Sequence, residues 1–446
     1  MTITNRVWPG LGIVLLLGLL PFSPGVVARE PIEWVWSGAV TETSAVVKAK
    51  VGSESGEPRL YLGEAVVLPR DISAGGIATF HLEDLLPGTA YDYRVSVGDG
   101  AVLGGRFQTF VQGPSSFRFV FGSCARTGSN HRIFETMESL QPLFTLHMGD
   151  FHYENIAEND PAKFRRAFDK VLASERQSSL YRSAPIAYIW DDHDYGPNDA
   201  DRTHPGKPAA VATYGEYVPH YPLERDEGTP RDLRQAFTVG RIRFLLTDVR
   251  SHRVPDDAPD GPEKTMLGVA QREWLLDEIE ASRERYALVV WVNPVPWIAE
   301  RGSSHGWGRY DWERRHIADR IVEAGMTARL LMLSGDGHMV AIDDGTHSNF
   351  ATNGAAGEKG FPVMHAAPLD RYARPKGGPY SHGTAGRRIL FGLVAIQQFG
   401  LAEIRDDGQI LEVSLSGRNG SGNLLQGMSL GLRCDDRGCR TTEAAE

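Results

Sequence analysis

The chain has 446 residues, 41% of them hydrophobic and 23% charged, with a formal net charge of -10 at pH 7. That length suits two domains with a large core, and the composition is that of an ordinary globular protein. The acidic balance leaves no basic nucleic-acid-binding patch, so an anionic ligand would have to be met by local positive charge from metal ions or a few arginines.

Residues 1–28 read as a secretory signal peptide. Arg6 precedes the apolar stretch Leu11 to Phe22, and Val26-Val27-Ala28 offers a small-residue cleavage site. Pro21 and Pro24 interrupt the apolar run, which is short for a stable membrane anchor. No Arg-Arg pair precedes it, which favours general export over a twin-arginine route and predicts a secreted or periplasmic protein. No later stretch reaches the ~20 apolar residues that a spanning helix needs.

Residues 29–112 alternate short apolar strands with turn signals: Glu33 to Trp36, Ser44 to Val51, Pro58 to Leu62, Ile77 to Leu82, Tyr91 to Val97 and Gly105 to Phe110. That pattern predicts an all-β sandwich. Leu85 to Arg94 (LLPGTAYDYR) resembles the corner before a late strand of fibronectin type III domains, where a Tyr hydroxyl bonds back to the chain. The segment carries no chemistry of its own and reads as a lid, spacer or dimer surface.

Gln112 to Ser116 has a linker composition. Residues 113–446 then alternate strands with helical patterns at His131 to Leu140, Pro161 to Ser174, Gly268 to Glu284 and Glu313 to Ala324. Alternation of that kind predicts a layered α/β domain with central β-sheets flanked by helices and a C-terminal strand or tail. Ala200 to Arg234, rich in Pro, Gly and charge, is expected to be a long loop over the functional site.

Four clusters of metal-ligating residue types punctuate this region: FGSCAR (Phe121 to Arg126), HMGDFHYE (His147 to Glu154), WDDHDYGPND (Trp190 to Asp199) and LSGDGH (Leu333 to His338). Each follows an apolar run that reads as a buried strand. Loops at the carboxyl edge of a sheet aim several side chains at one point, so the four clusters predict a two-metal phosphoesterase site.

Asp150 and Tyr153 stand three apart at one strand end. A carboxylate can bridge two cations, and a phenolate is a strong donor that suits a ferric ion. With Cys124 and His338 they make a thiolate, phenolate, carboxylate and imidazole set, for which ferric iron is the best fit and zinc or another divalent ion the runner-up. Three carboxylates within Asp191 to Asp194 would repel unless a cation neutralised them. Asp150, Asp192 and Asp336, with Asn198 as a further candidate, form an all-oxygen set suited to calcium. His193, between Asp192 and Asp194, is favoured in its protonated form and is the candidate proton donor to a leaving alkoxide. Arg126, Arg250 and Arg253 are candidates to hold phosphate oxygens. Asp248 ends a further strand and reads as an orienting group, while His147, His152, His305 and His382 read as structural or supporting. Cys434 and Cys439, five apart in RCDDRGC, are expected to close a small disulfide loop, leaving Cys124 as the single thiol among three cysteines.

Taken in order, GSC, HxGDxxYE, WDDHD, DxR and GDxH resemble the motifs of the PhoD-like alkaline phosphatases, a branch of the calcineurin-like metallophosphoesterases. The match covers roughly Ser116 to Ala402, and a β-sandwich before the catalytic domain is also similar to this family. The resemblance implies that Cys124 stands where most metallophosphoesterases have an Asp, that Asp150 bridges, and that Tyr153 and His338 complete a ferric site. It places Asp192 where an Asn usually precedes the catalytic His193, and Asp336 where a His is usual. It implies iron plus calcium, a small phosphorylated substrate or a phosphodiester polymer, and hydrolysis of phosphate mono- or diesters. One departure stands out: Val290 to Trp297 (VWVNPVPW) offers only Asn293 where many metallophosphoesterases supply a further His, which favours calcium for the second cation. The alternatives are a phospholipase-type phosphodiesterase at the same metals and a non-enzymatic exported binding module built on the scaffold.

Overall fold

The computed structural model describes residues 31–52, 56–98, 102–226, 229–302, 306–353, 357–385 and 397–443. The expected signal segment 1–28 and His305 lie outside them.

Three short strands, Phe117–Gly122, Thr145–Met148 and Ile186–Ile189, pair in parallel with Thr145–Met148 in the middle. All four residues of both Thr145–Met148 and Ile186–Ile189 are buried. These near-continuous apolar runs, covered on both faces, are what parallel strands require. They form the centre of an 11-stranded sheet. On one side Gln398–Asp406 adds antiparallel to Phe117–Gly122 and begins a meander through Leu411–Asn419, Leu424–Asp435 and Gly438–Thr442. The Cys434–Cys439 disulfide expected from the spacing closes the last hairpin.

A second, seven-stranded sheet carries Ile242–Leu246, Leu288–Asn293, Leu330–Ser334 and Val363–Ala366 in parallel. The two sheets face each other across aromatic side chains: Phe119 meets Phe244 edge-on at 5.6 Å between ring centroids, and Phe144 meets Phe237 and Phe244 at 5.6 and 5.5 Å. T-shaped rings at these separations are favourable beyond the area they bury. On the outer face of the second sheet, Val269–Ala281 and Asp311–Glu323 bury Leu275, Leu276, Ile279, Ile317 and Ile321 against Val289, Trp291, Leu330 and Met332. The fold is the layered α/β sandwich expected.

The N-terminal strands are joined to this architecture more closely than a lid or spacer. Gly38, at the end of Ile32–Gly38, bridges in parallel to Ile186, and Ala45–Val51, Ile77–Leu82 and Asp71–Ile72 continue the same sheet outward. A four-stranded sheet of Ala65–Val67, Pro58–Leu62, Ala90–Val97 and Val102–Gln108 completes the N-terminal β-rich part. Within it Leu86 N donates to Tyr91 Oη at 2.8 Å, the bond back to the chain that the sequence corner suggested. Trp36 is fully buried, donates from Nε1 to Tyr217 O at 3.0 Å, and packs on Phe151 and Tyr181 at 5.7 and 6.2 Å. An N-terminal tryptophan thereby supports the loop that carries Asp150.

The Ala200 to Arg234 stretch is not a plain loop, since Lys207–Tyr217 is an α-helix with Pro208 in its first turn. Proline fits there because its missing N–H would have no helical partner in any case. The helix buries Ala209, Ala210, Val211, Thr213, Tyr214 and Tyr217 around much of its circumference, so it shows no one-sided apolar period to read.

Trp36→Ala is expected to lower the unfolding free energy by about 3–5 kcal/mol. Urea denaturation followed by both tryptophan fluorescence and far-UV circular dichroism checks this. A separate early transition confined to the N-terminal strands would show that they fold independently of the site.

Candidate metal centre

The four clusters occupy sheet-edge loops that meet. Among the described residues nine non-glycine positions have positive φ, and Cys124 (62°), Asp150 (56°), Asp336 (49°) and His338 (48°) are four of them. Left-handed backbone costs an L-residue free energy and persists only where its surroundings fix it. Here Cys124 N donates to Gly149 O at 3.3 Å and Ala125 N to Asp150 O at 3.1 Å, which locks the first two loops together. A Cβ added at Gly149 (φ 93°) would lie 2.4 Å from Asp191 Cβ, and one at Gly335 would lie 2.3 Å from Met148 O. Only glycine lets these loops approach so closely.

Cys124, Asp150 and His338 offer ligand atoms that all lie within 4.8 Å of one another, and a second such group joins Asp150, Asp192 and His193. Asp150 is common to both. Tyr153 Oη donates to Asp150 Oδ2 at 2.6 Å and lies 3.3 Å from His338 Nε2, so it belongs to the first group. Cys124 Sγ is 3.4 Å from Asp150 Oδ2.

Protonation chemistry tests whether these residues fit cations. Burial, followed by the charges of Asp150 and Asp336, pushes the Cys124 thiol well above its ordinary range. Burial and the neighbouring carboxylates of Asp192, Asp194 and Asp336 push Asp150 up, and burial with Asp150 and Cys124 does the same to Tyr153. Burial first and mutual proximity second thus work against ionisation of three potential anions, the situation a bound cation reverses. Burial and the adjacent Lys376 charge push His338 down to about 4, so its imidazole is neutral and available as a ligand. The donor set fits a two-cation site.

Asp192, like Asp336 beside Lys376, is shifted the other way. Burial acts to raise it, but Arg250, His193 and Lys376 together hold it well below the usual carboxylate range. Its Oδ1 accepts from His193 N at 3.0 Å and its Oδ2 from Asp199 N at 2.7 Å. His193 rests its ring against Tyr153 with centroids 4.1 Å apart, and its Nδ1 lies 2.6 Å from Asn155 Oδ1. With Asn155 Oδ1 accepting, the proton sits on Nδ1 and Nε2 is left for other partners.

The structure gives several predicted residues partners within the protein. Arg250 is buried: Nε donates to Asp191 Oδ1 at 2.6 Å, Nη1 to Ala200 O at 3.3 Å, and Nη2 lies 3.9 Å from Asp192 Oδ1. It is an internal counter-ion beneath the acidic loop, 2% exposed. Arg253 pairs with Asp256 at 2.8 Å and stacks on Tyr310. Asp248 accepts from Trp190 Nε1, Arg250 N, Ser251 N and Leu233 N, so it ties strand ends together. Asn198 is exposed and bonds Asp199 at 2.5 Å. Asn293 is buried between Val295 O and Trp307 Nε1, and so belongs to the scaffold. His147 and His152 are buried in the aromatic cluster around Phe151 and Phe168. Asp336 is bound to Lys376 and falls in neither ligand group. Arg126 remains exposed at the rim, anchored through N and Nε to Asp370.

Sequence reasoning missed the Asp370 to Lys376 loop (DRYARPK). Tyr372 O lies 2.6 Å from His338 Nδ1, Arg374 N donates to His338 O at 3.3 Å, and Lys376 N to Gly337 O at 3.2 Å. Arg371 sits over the Tyr153 ring at 3.9 Å and Arg126 over Tyr372 at 5.9 Å. The signal in the sequence was three basic residues within seven positions, following the buried strand Val363–Ala366, whose apolar run is short and broken by His365.

Two facing sheets with metal-ligating residue types at their converging edges form a metallophosphoesterase fold. The chain superimposes on a structure of PhoD with a TM-score of 0.71 at 15% identity, covering 93% of this chain and 92% of that one. It superimposes on a purple acid phosphatase from yellow lupin (Lupinus luteus) seeds with a TM-score of 0.59 at 15% identity, covering 92% and 77%. In sequence it is 22% identical over 387 residues to alkaline phosphatase D of Bacillus subtilis (strain 168), which is 71% of this chain and 64% of that protein. It is also 25% identical over 215 residues to tartrate-resistant acid phosphatase type 5 of Homo sapiens, 47% of this chain and 62% of that protein. The chain thus spans under two thirds of the length of either of these relatives. The model of the PhoD-like phosphatase family matches residues 119–361, more than half of the chain, and the protein belongs to that family.

Arg250→Ala leaves Asp191 buried without its cation and is expected to destabilise the fold by about 3–5 kcal/mol. Arg250→Ala combined with Asp191→Asn is expected to recover part of that loss in chemical denaturation. A change below about 1 kcal/mol in the single variant would sink this assignment, since a surface pair is worth no more.

Proposed function

We propose that this protein is an exported, metal-dependent phosphatase that hydrolyses phosphate mono- and/or diesters at a dinuclear site. The observation that carries this reading is the sharing of Asp150 between two ligand groups, Cys124/Asp150/His338 and Asp150/Asp192/His193. A carboxylate common to two cation sites is the geometry that two-metal hydrolysis needs.

Cys124, Asp150, Tyr153 and His338 would hold ferric iron, with zinc as the runner-up, because the set is soft and strongly donating. Asp150, Asp192 and Asp336 offer oxygen to calcium. Bound there, the two cations supply the charge that activates water and neutralises the phosphoryl oxygens. The chain's own groups do the rest. Asn155 Oδ1 accepts from His193 Nδ1–H, which sets the ring so that, in the imidazolium form, Nε2–H gives its proton to the leaving oxygen and leaves the ring neutral. Arg126, fixed at the rim by Asp370, and Arg371, seated over Tyr153, are cations available to non-bridging phosphate oxygens. Those two arginines supply the local positive charge that an anionic substrate needs on a protein of net charge -10.

Export is supported by the signal-like residues 1–28 and by the Cys434–Cys439 disulfide, a bond at home in oxidising compartments. Among the described residues no helix is long and apolar enough to cross a membrane. The N-terminal β-sandwich, 29–112, and the catalytic domain, 113–446, are proposed as the functional division of the chain.

Purified protein is expected to carry about one iron per chain with a visible charge-transfer band. Tyr153→Phe should abolish the band, and Cys124→Ala should deplete the iron. Calcium chelation should remove turnover of chromogenic monoester and diester substrates and re-addition should restore it. Protein free of metal and inactive on both substrates would sink the assignment.

His193→Ala is expected to lower kcat by ~10²–10⁴-fold with little change in KM. Asn155→Ala, which frees the ring without removing it, should cost about 10–100-fold. Equal kcat in Asn155→Ala and wild type would show that the imidazole needs no such anchor.

A further inference from the structure

Lys376 is bound to Asp336, one of the three carboxylates proposed for the second cation. Its Nζ donates to Asp336 Oδ1, and the two side chains are only 14% and 6% exposed. Asp192 and Cys124 are the next charges that act on this ammonium. The backbone beneath it is pinned, since Lys376 N bonds Gly337 O and Arg374 N bonds His338 O. The ammonium therefore reaches the acidic hollow from a loop that is itself part of the site.

Asp191 already has a guanidinium of its own in Arg250. Asp336 depends on Lys376. An ammonium is a compact point charge with three donors and no acceptor. It can sit on carboxylate oxygens, but those same oxygens cannot accept it along the directions they use to coordinate a hard cation at ~2.3–2.6 Å. Two positive charges on one carboxylate in a buried site also repel strongly.

We infer that Lys376 is the built-in counter-ion of the second cation site: its ammonium holds Asp336 beside Asp192 in the metal-free protein and competes with calcium for their oxygens. This rests on the metallophosphatase reading above and adds a feature to it. Loading the second site then requires the lysine to withdraw, a motion its four-carbon side chain allows without moving the pinned loop. The competition makes the site discriminating, since a cation must bind the oxygens better than an ammonium already delivered to them.

The test is calorimetric titration of calcium into iron-loaded protein stripped of calcium by chelation, for wild type, Lys376→Gln, Lys376→Met and Lys376→Arg. Thermal unfolding with and without calcium accompanies it. Loss of the ammonium is expected to tighten calcium binding about tenfold or more, the scale of one charged hydrogen bond. Both neutral variants should melt earlier than wild type without calcium and show a larger rise when it is added. Lys376→Arg should behave like wild type. A residue that merely braced the loop would give the opposite sign, with weaker calcium binding in the neutral variants. Equal or weaker affinity in Lys376→Gln and Lys376→Met, in protein that takes up calcium and hydrolyses phosphoesters, overturns the competition alone. Wild-type protein that binds neither cation and hydrolyses nothing overturns the metallophosphatase reading and the competition with it.

Discussion

The structure is organised around a concentration of buried negative charge. Asp150, Asp191, Asp192, Asp194 and Asp336 are each at most 5% exposed, and Cys124 and Tyr153 stand beside them. Left alone, such a group would keep its protons, because like charges in a poorly solvated site cannot all ionise. The fold meets this locally. Arg250 is buried against Asp191, Lys376 against Asp336, and Asp194 is satisfied by the N–H groups of His152 and Asp191. What remains uncompensated is Asp150 with its thiol and phenol, which is where the ligand groups overlap. Cation binding and the integrity of the sheet edges are therefore one electrostatic problem.

The scaffold explains how that charge is held at one place. Parallel strands deliver their loops to the same edge, and positive φ at Cys124, Asp150, Asp336 and His338 turns each chain sharply back over it. Glycines at 149 and 335 allow the loops to touch, and Asp248 ties together segments that start from different strands. Each of these devices sacrifices local conformational freedom for a fixed arrangement of donors, as expected where function sets the geometry.

Much of this was legible in the chain. Cys124, Asp150, Tyr153 and His338 come together as the motif spacing required, because a strand followed by a short polar cluster has one dominant structural solution. The strands Pro58–Leu62 and Ile77–Leu82 fall on their sequence boundaries. Other features left no local trace. Arg250 looked like a substrate-binding arginine because exposure is a property of packing, and its partner Asp191 lies 59 residues away. Asn155 directly follows the second cluster and Lys376 sits in a short basic loop, but their roles come from contacts with His193 and Asp336 that sequence does not show. The helix Lys207–Tyr217 hid because burial on several sides erases the period by which helices are recognised.

The joining of Ile32–Gly38 to Ile186 has a consequence for how the chain is made. Trp36 finds its hydrogen-bond acceptor 181 residues downstream, and Lys48 bonds the carbonyls of Gly215 and Glu216, 167 and 168 residues on. The strands Ile32–Gly38 and Ala45–Val51 cannot complete their sheet until the middle of the chain is in place, and until then their apolar faces and edges stay open. Contacts of such long range slow folding, because the connecting chain must be ordered before they repay it. These strands thus complete their sheet only with partners supplied much later in the chain.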